Sequence, residues 1–326
     1  MRQRWKTVLR CLPLCLLAVV LWREKPWTVE LTARAPWAVI VSILINFAVF
    51  LPLKAVRWRV ALSEPPPFRQ VLAATLEGFL ANAAIGFGSG DLVRAARLGR
   101  RVDVARLRRA ESVAGGIGDP SRVPESVSQV AVDYAATLAE RGAEVFALAI
   151  LIFVAAIVTG LGPWALAFSG LAAAAYLGVL AAGRLLVPRL GRWPRAQHAL
   201  SSGLQVSTPR RVAVIVALSL LGWSAELVML LLFQSAFGLT PSFGTALLTL
   251  VGINAAIVIP NVPGNFGTFE AGATIALVAR GVPRDVAVSY ALTYHLTHVI
   301  PVAVVATAVF FYRSRRYRTT PARTST

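Results

Sequence analysis

The stretch "IPNVPGNFGTFEAGA", Ile259 to Ala273, decides how this chain is folded. Its two prolines, three glycines and two asparagines stop any helix, yet apolar runs stand on both sides. Glu270 opens the second of these runs, in which only Thr274 is polar. Such a pattern is either a short greasy surface loop or a chain reversal inside a membrane.

Composition favours the membrane. Of 326 residues, 56% are hydrophobic and 15% charged, and the mean hydropathy is +0.66. A soluble domain is about 25% charged. Apolar runs fall at about 8–22, 36–53, 71–87, 134–160, 163–187, 211–238, 243–259, 267–279 and 286–312. They predict an all-α polytopic integral membrane protein with little mass outside the bilayer. The longest region between runs, Gly88 to Val132, is Arg-rich and broken by Gly, Ser and Pro, and no stretch suits a separate catalytic domain. The net charge of +18 does not point to nucleic acid, because the basic residues sit between apolar runs rather than on one soluble face. The opening "MRQRWKTVLRCLPLCLLAVVLW" imitates a signal peptide but reads as an uncleaved first span. Cys11 and Cys15, a turn apart within it, read as small packing residues, since helical geometry separates their sulfurs and no further metal ligand stands near.

Charge placement selects the topology. If every long run crossed the bilayer from a cytoplasmic N-terminus, the arginines of Gly88–Val132 would lie outside, against the positive-inside rule. Suppose instead that 71–87 enters from the cytoplasm and turns back at "GFGSGD", while 243–259 enters from outside and turns back at "PNVPGNFG". About six full spans then remain, at 8–22, 36–53, 134–160, 163–187, 211–238 and 286–312, with both termini cytoplasmic in the cell membrane. Of the 33 Lys and Arg residues, 27 fall on the cytoplasmic side, 5 outside, and Arg141 within the membrane. This gives a single membrane domain. A first half, 8–160, holds a cytoplasmic-side hairpin at 71–98; a second half, 163–312, holds an outer-side hairpin at 243–280; a basic tail follows at 313–326.

Internal similarity is a second line of argument. "TLEGFLANAAIGFGSGD" (Thr75–Asp91) and "TLVGINAAIVIPNVPGNFGTFE" (Thr249–Glu270) share Thr-Leu-x-Gly, then Asn-Ala-Ala-Ile, then a glycine-rich break leading to a carboxylate. Two related re-entrant hairpins of opposite orientation are the signature of an inverted repeat. The match is short and needs a gap, so chance similarity is the competing explanation.

Ionisable residues inside apolar runs face a cavity or a partner. Asn82 and Glu77 lie on the first hairpin, and Asp91 starts the returning helix, where a plain helix cap is the bland alternative. Arg94 and Arg97 share a face suited to lipid phosphate or to interfacial anchoring. In "LAERGAEVFAL", Glu140, Arg141 and Glu144 lie within one turn. They read either as a structural ion cluster or as a head-group site in which the guanidinium forks onto phosphate. Glu226 stands mid-helix without an ionic neighbour on its own helix, as an inter-helix partner or a proton carrier. His295 and His298 share a face before Pro301, and without a third ligand they read as a bundle-interior pair rather than a metal site. No Walker loop appears, and "GFGSGD" follows an apolar helix rather than a strand.

Taken together, "NAAIGFGSGDLVRAARL" (Asn82–Leu98), "ERGAEVFAL" (Glu140–Leu148), "PNVPGNFGTFEAGA" (Pro260–Ala273) and "VRWRVAL" (Val56–Leu62) resemble the lysylphosphatidylglycerol synthase transmembrane, flippase-like family over about residues 8–312. The resemblance implies movement of aminoacylated phospholipids, or of polyprenol-linked and related lipids, between leaflets. By position it carries over Asn82, Gly90, Asp91 and Arg94, then Glu140 and Arg141, then Pro263, Gly264, Gly267 and Glu270. The first element departs from the family's usual Pro-x-Arg-x-Gly-Glu, reading Gly86-Phe-Gly-Ser-Gly-Asp91 here. The aminoacyltransferase domain fused in some members has no counterpart in these residues, so attachment of lysine to lipid is not expected.

The leading expectation is a lipid translocator rather than an enzyme, needing no cofactor or metal. Its partners are membrane lipids with anionic or polar heads. Asn82, Asp91, Glu140, Arg141, Asn254, Asn261 and Glu270 would line a midplane cavity, with Gly90, Arg94, Glu144, Pro263, Gly264 and Gly267 completing the site. Two alternatives stay open. One is a non-catalytic partner of a separate lipid-modifying enzyme, acting through the Arg-rich 88–132 region. The other is an integral membrane transferase with Glu140 or Glu270 as base, for which no donor-binding motif is seen.

Overall fold

A computed structural model describes residues 36–62, 65–86, 88–98, 124–160, 162–192, 208–257 and 263–318, with single residues at 22, 197 and 201. The expected span at 8–22 with Cys11 and Cys15, the arginines from Arg100 to Arg122, Asn261 and the tail beyond 318 lie outside these residues. Among the described residues every regular element is a helix.

Helix α1 runs from Pro36 to Ala61 and contains a π-helical turn at Asn46–Phe50. Hydropathy alone ended this run at residue 53, but the helix continues for two further turns. Its polar end, with Lys54 and Arg57, is accommodated because carboxylates on other helices meet it. Three prolines, Pro65 to Pro67, separate α1 from α2, Phe68–Ile85. Helix α2 stops at Gly86, whose φ of 105° and ψ of −166° lie where side chains other than glycine's are strained. The short helix α3, 89–98, then turns back. Helix α4 is Pro124–Thr159, α5 is Pro163–Leu186, and α6 is Pro209–Ala236; proline opens α5 and α6, where its missing N–H is harmless. The last three are α7 (Phe243–Ile257), α8 (Thr268–Val278) and α9 (Arg284–Arg318), with Pro301 inside α9.

Among the described residues, five helical segments are long and apolar enough to cross a membrane: Pro36–Ala61, Val132–Thr159, Ser169–Arg189, Pro209–Ala236 and Arg284–Arg313. The chain is thus an all-α polytopic membrane protein. At 1.5 Å per residue, α7 and α8 reach only about 22 and 16 Å, short of a hydrocarbon core of roughly 30 Å. Each belongs to a helical hairpin. Large apolar side chains such as Ile157, Leu171, Leu185, Ile275 and Val304 stand exposed, as expected where acyl chains rather than water cover the surface.

Helix α6 is the hub, packing on α1, α4, α7 and α9. Phe233 of α6 meets Tyr294 of α9 edge-on at 4.9 Å, and the Tyr290 hydroxyl donates to the Leu230 carbonyl at 2.7 Å. Helix α9 in turn lies against both α2 and α8, joining the two hairpins. Each hairpin closes on glycine. A Cβ at Gly252 of α7 would stand 2.6 Å from the Gly272 carbonyl of α8, and one at Gly78 would stand 2.9 Å from the Gly90 carbonyl. Only hydrogen at these positions lets the two arms of each hairpin pack backbone to backbone. The 3₁₀ turn Pro263–Asn265, at the tip of the second hairpin, packs on α2, the first hairpin's leading arm, with Gly264 facing the Ala83 carbonyl.

Valine at Gly252 or Gly272 forces these backbones apart, at a cost of about 1–3 kcal/mol or more. Thermal melts in detergent should show either variant well below the parent, while Gly170→Val, at a site with no neighbour within 4 Å among the described residues, should melt like the parent.

Candidate functional site

Three helices bring charges to one place through short sequence spacings. Lys54 and Arg57 stand three apart on α1, Asp91 and Arg94 three apart on α3, and Glu140, Arg141 and Glu144 within a turn on α4. Residues three or four apart share a helix face, so each helix presents its charges together. Helix α6 adds Ser219.

Arg57 is the innermost cation, 4% exposed, and Glu140, its main partner, is fully buried. The Arg57 Nε donates to Glu140 Oε1 at 2.7 Å, and its Nη1 reaches Glu144 Oε1 at 3.0 Å and the Ser219 hydroxyl at 3.1 Å. Arg94 Nη2 donates to Asp91 Oδ1 at 2.6 Å and lies 3.4 Å from Glu140 Oε2. Its guanidinium also covers the Trp58 ring at 4.7 Å. Trp58 is fixed in turn by its indole N–H, which donates to Thr137 Oγ1 at 3.0 Å. Arg141 grips Asp91 with two parallel bonds, Nε to Oδ2 at 3.1 Å and Nη2 to Oδ1 at 3.0 Å, and holds Glu144 Oε2 at 2.6 Å through Nη1. Lys54 sits over the Phe50 and Phe79 rings, 4.0 Å from Glu144.

A narrow crevice borders this network, lined by Lys54, Arg57, Gly78, Asn82, Asp91 and Arg141 among others. A smaller adjoining crevice leads from Lys54, Arg57 and Glu144 toward Ser219 and Trp223 of α6. Arg141 differs from the other guanidiniums. Its side chain is 37% exposed, against 7% for Arg94 and 4% for Arg57. It is the network cation most open to an incoming anion. Nearby, a buried Glu77 on α2 pairs with Arg97 of α3 at 2.9 Å and Arg313 of α9 at 3.3 Å, fastening the first hairpin to the last helix.

The structure thus brings together Asn82, Gly90, Asp91, Arg94, Glu140, Arg141 and Glu144 from the expected set. It also corrects two readings. Asp91 does not act as a helix cap: both of its oxygens engage guanidiniums. The cap of that return is Asn82, whose Oδ1 accepts from the Gly90 N–H at 2.8 Å. Lys54 and Arg57, counted from sequence among the cytoplasmic loop charges, are inside the protein at the centre of the network. Their signal was the three-residue spacing at the end of an apolar run, a complement to Glu140 and Glu144 four apart.

Glu270 and Asn254 stand elsewhere. Glu270 Oε2 accepts from the Gly267 N–H at 2.7 Å, closing the first turn of α8, and its Oε1 meets His295 Nδ1 at 2.8 Å. Phe269 stacks on that imidazole at 4.1 Å and Phe266 lies against it at 4.8 Å. Asn254 Nδ2 donates to the Leu250 carbonyl of its own helix. Pro263, Gly264 and Gly267 shape the turn that joins α7 to α8. None of these residues lines the charged clefts.

The family model described as the lysylphosphatidylglycerol synthase TM region matches residues 7–306, nearly the whole chain. No curated protein matches it.

Removing one member of a buried ion pair strands the other, a loss of about 3–5 kcal/mol. Glu140→Ala should therefore unfold far earlier than the parent in chemical denaturation in mixed micelles. The double replacement Arg57→Met with Glu140→Leu should recover a large part of that loss.

Proposed function

Because this chain belongs to the lysylphosphatidylglycerol synthase TM-region family, which gives it a membrane-lipid role, we propose that it carries a lipid head group between leaflets. The lipid is a phospholipid or a polyprenol-linked lipid. The observation that carries this reading is the half-open Arg141, held by Asp91 and Glu144 at the wall of a cleft lined by charged and polar side chains. A guanidinium that binds a carboxylate with two parallel bonds has the geometry to bind a phosphate the same way. An entering phosphate takes the place of Asp91 on Arg141, and the freed carboxylate accepts from a hydroxyl or ammonium on the same head. The backbone contact at Gly78 and Gly90 narrows the cleft on one side. Acyl chains remain along the exposed apolar surface. No bond is made or broken, and no cofactor takes part.

In this reading the two hairpins enter from opposite faces of the cell membrane, with both termini cytoplasmic, as the distribution of basic residues favours. The contact between the tip of the second hairpin and α2 supports it. Glu270 then serves the second hairpin as its brace rather than as a ligand of the head.

Two measurements test the proposal. Purified protein in liposomes with fluorescent anionic, aminoacylated and polyprenyl-phosphate lipids should speed leaflet exchange of at least one. Arg141→Ala removes charge-assisted bonds of about 1.5–3 kcal/mol, a loss of about tenfold or more in that rate. Equal rates for parent and variant with every head group would reject translocation, and a new lipid appearing only with an activated donor would make the chain a transferase. In a background with Cys11 and Cys15 replaced, Ser89→Cys should label from the cytoplasm and Asn265→Cys from outside; same-side labelling would reject the opposed hairpins.

A further inference from the structure

One buried carboxylate continues the α6 face that lines the smaller cleft, without belonging to its ion pairs. Glu226 of α6 is 7% exposed and has no hydrogen bond or ion pair among the described residues. It lies one turn beyond Trp223, which lines the smaller cleft beside Lys54. Helices α1, α4, α7 and α9 pack on α6, the helix that carries Glu226. Helix α1 presents Lys54, which attracts it; α4 presents Glu144, which repels it; α9 presents Tyr294; α7 carries no titratable side chain. Lys54 is thus attracted by two carboxylates, Glu144 at 4.0 Å and Glu226 beyond ion-pair distance, with two aromatic rings against its ammonium.

The surroundings of Glu226 are polar without being satisfied. Trp223 Nε1, Tyr294 Oη and His298 Nε2 are buried and have no protein partner among the described residues. The Tyr294 and His298 rings lie 4.3 Å apart. His298 Nδ1 is 2.9 Å from the Tyr294 carbonyl, which can only accept, so Nδ1 carries the hydrogen. Nε2 of the neutral ring is then a bare acceptor. A buried phenol and an open imidazole nitrogen thus stand side by side on α9, which packs on α6, the helix that carries Glu226. Buried polar atoms of this kind ask for an explanation, and proton handling is one that uses all three.

Charge arithmetic says what such a site would do. Lys54, Arg57, Arg94 and Arg141 face Asp91, Glu140, Glu144 and Glu226, so the signs balance while Glu226 is ionised. A proton on Glu226 leaves one surplus positive charge and removes one of the two negative charges that attract Lys54. We propose that Glu226 is a proton-binding site coupled to the cleft through Lys54, so that an anionic head group and one proton occupy the protein together. The proton bonds to a Glu226 oxygen, and the head supplies the negative charge that Glu226 gives up. This rests on the head-group reading above and adds to it a class of substrate, anionic lipid, and a linked ion.

The test uses the full chain in nanodiscs with a short-chain phosphatidylglycerol, whose phosphodiester keeps its charge throughout. Infrared difference spectra between mildly alkaline and mildly acidic buffer should show a protonated-carboxyl band that Glu226→Gln removes. Lipid binding should strengthen as the buffer is acidified, by at most about tenfold per pH unit for one linked proton. In Glu226→Gln, a neutral mimic of the protonated acid, binding should stay at the acid level at every pH. Absence of the band overturns the proton site whether or not lipid is bound. A band with pH-independent binding overturns the coupling and leaves the head-group reading standing. A band with no lipid binding at any pH defeats that reading, and the coupling with it.

Discussion

A guanidinium and a carboxylate, both shut away from water, hold each other at 2.7 Å between α1 and α4, and the first half of the protein is organised around that pair. Neither Arg57 nor Glu140 would be tolerated alone in a low-dielectric interior, because the desolvation of each is offset only by the other and by further hydrogen bonds. The remaining lone pairs and N–H groups of the two recruit the next shell: Glu144 and Ser219 onto Arg57, and Arg94 onto Glu140. Through Arg94 and Asp91 the network reaches α3, and through Asp91 it returns to Arg141 on α4. Three helices are thereby fixed in rotation about their axes, since a charge can meet its partner from only one face of a helix.

The two hairpins use one backbone device and two different chemistries. Both close by bringing a glycine on the leading arm against a glycine carbonyl on the returning arm, Gly78 with Gly90 and Gly252 with Gly272. The returns then diverge. After the first, Asn82 caps the backbone and leaves Asp91 to the guanidiniums. After the second, Glu270 makes the backbone cap itself and gives its other oxygen to His295 beneath two aromatic rings. The two glycine-rich breaks thus lead to different surroundings: an ionic face on one hairpin, a braced aromatic face on the other. Helix α9 runs along both and ties them together, with Arg313 on Glu77 near one end and His295 on Glu270 closer to its middle.

The hub position of α6 links these halves. One stretch of it faces the charged clefts through Ser219 and Trp223, and two turns further on it packs against the aromatic side chains of α9 through Leu230 and Phe233. Glu226 falls between. A residue there senses the charge of Lys54 on one side and the phenol of Tyr294 on the other.

The sequence by itself determined that the chain is a helical membrane protein, where most helices run, that two glycine-rich breaks interrupt them, and which family it belongs to. Those features are local or additive: hydropathy sums along a run, prolines and glycines end helices where they stand, and motifs are read in order. It also marked Asp91, Arg94, Glu140, Arg141 and Glu144, since ionisable groups in apolar runs are conspicuous. What only the tertiary structure decided is which charge meets which. Lys54 and Arg57 looked like loop anchors because hydropathy cannot distinguish a charge facing water from one facing a carboxylate 83 residues along the chain. Glu270 looked like the counterpart of Asp91 because both follow a glycine break, yet a carboxylate takes whichever donor lies nearest in space. For one it is two arginines, for the other a backbone amide and a histidine.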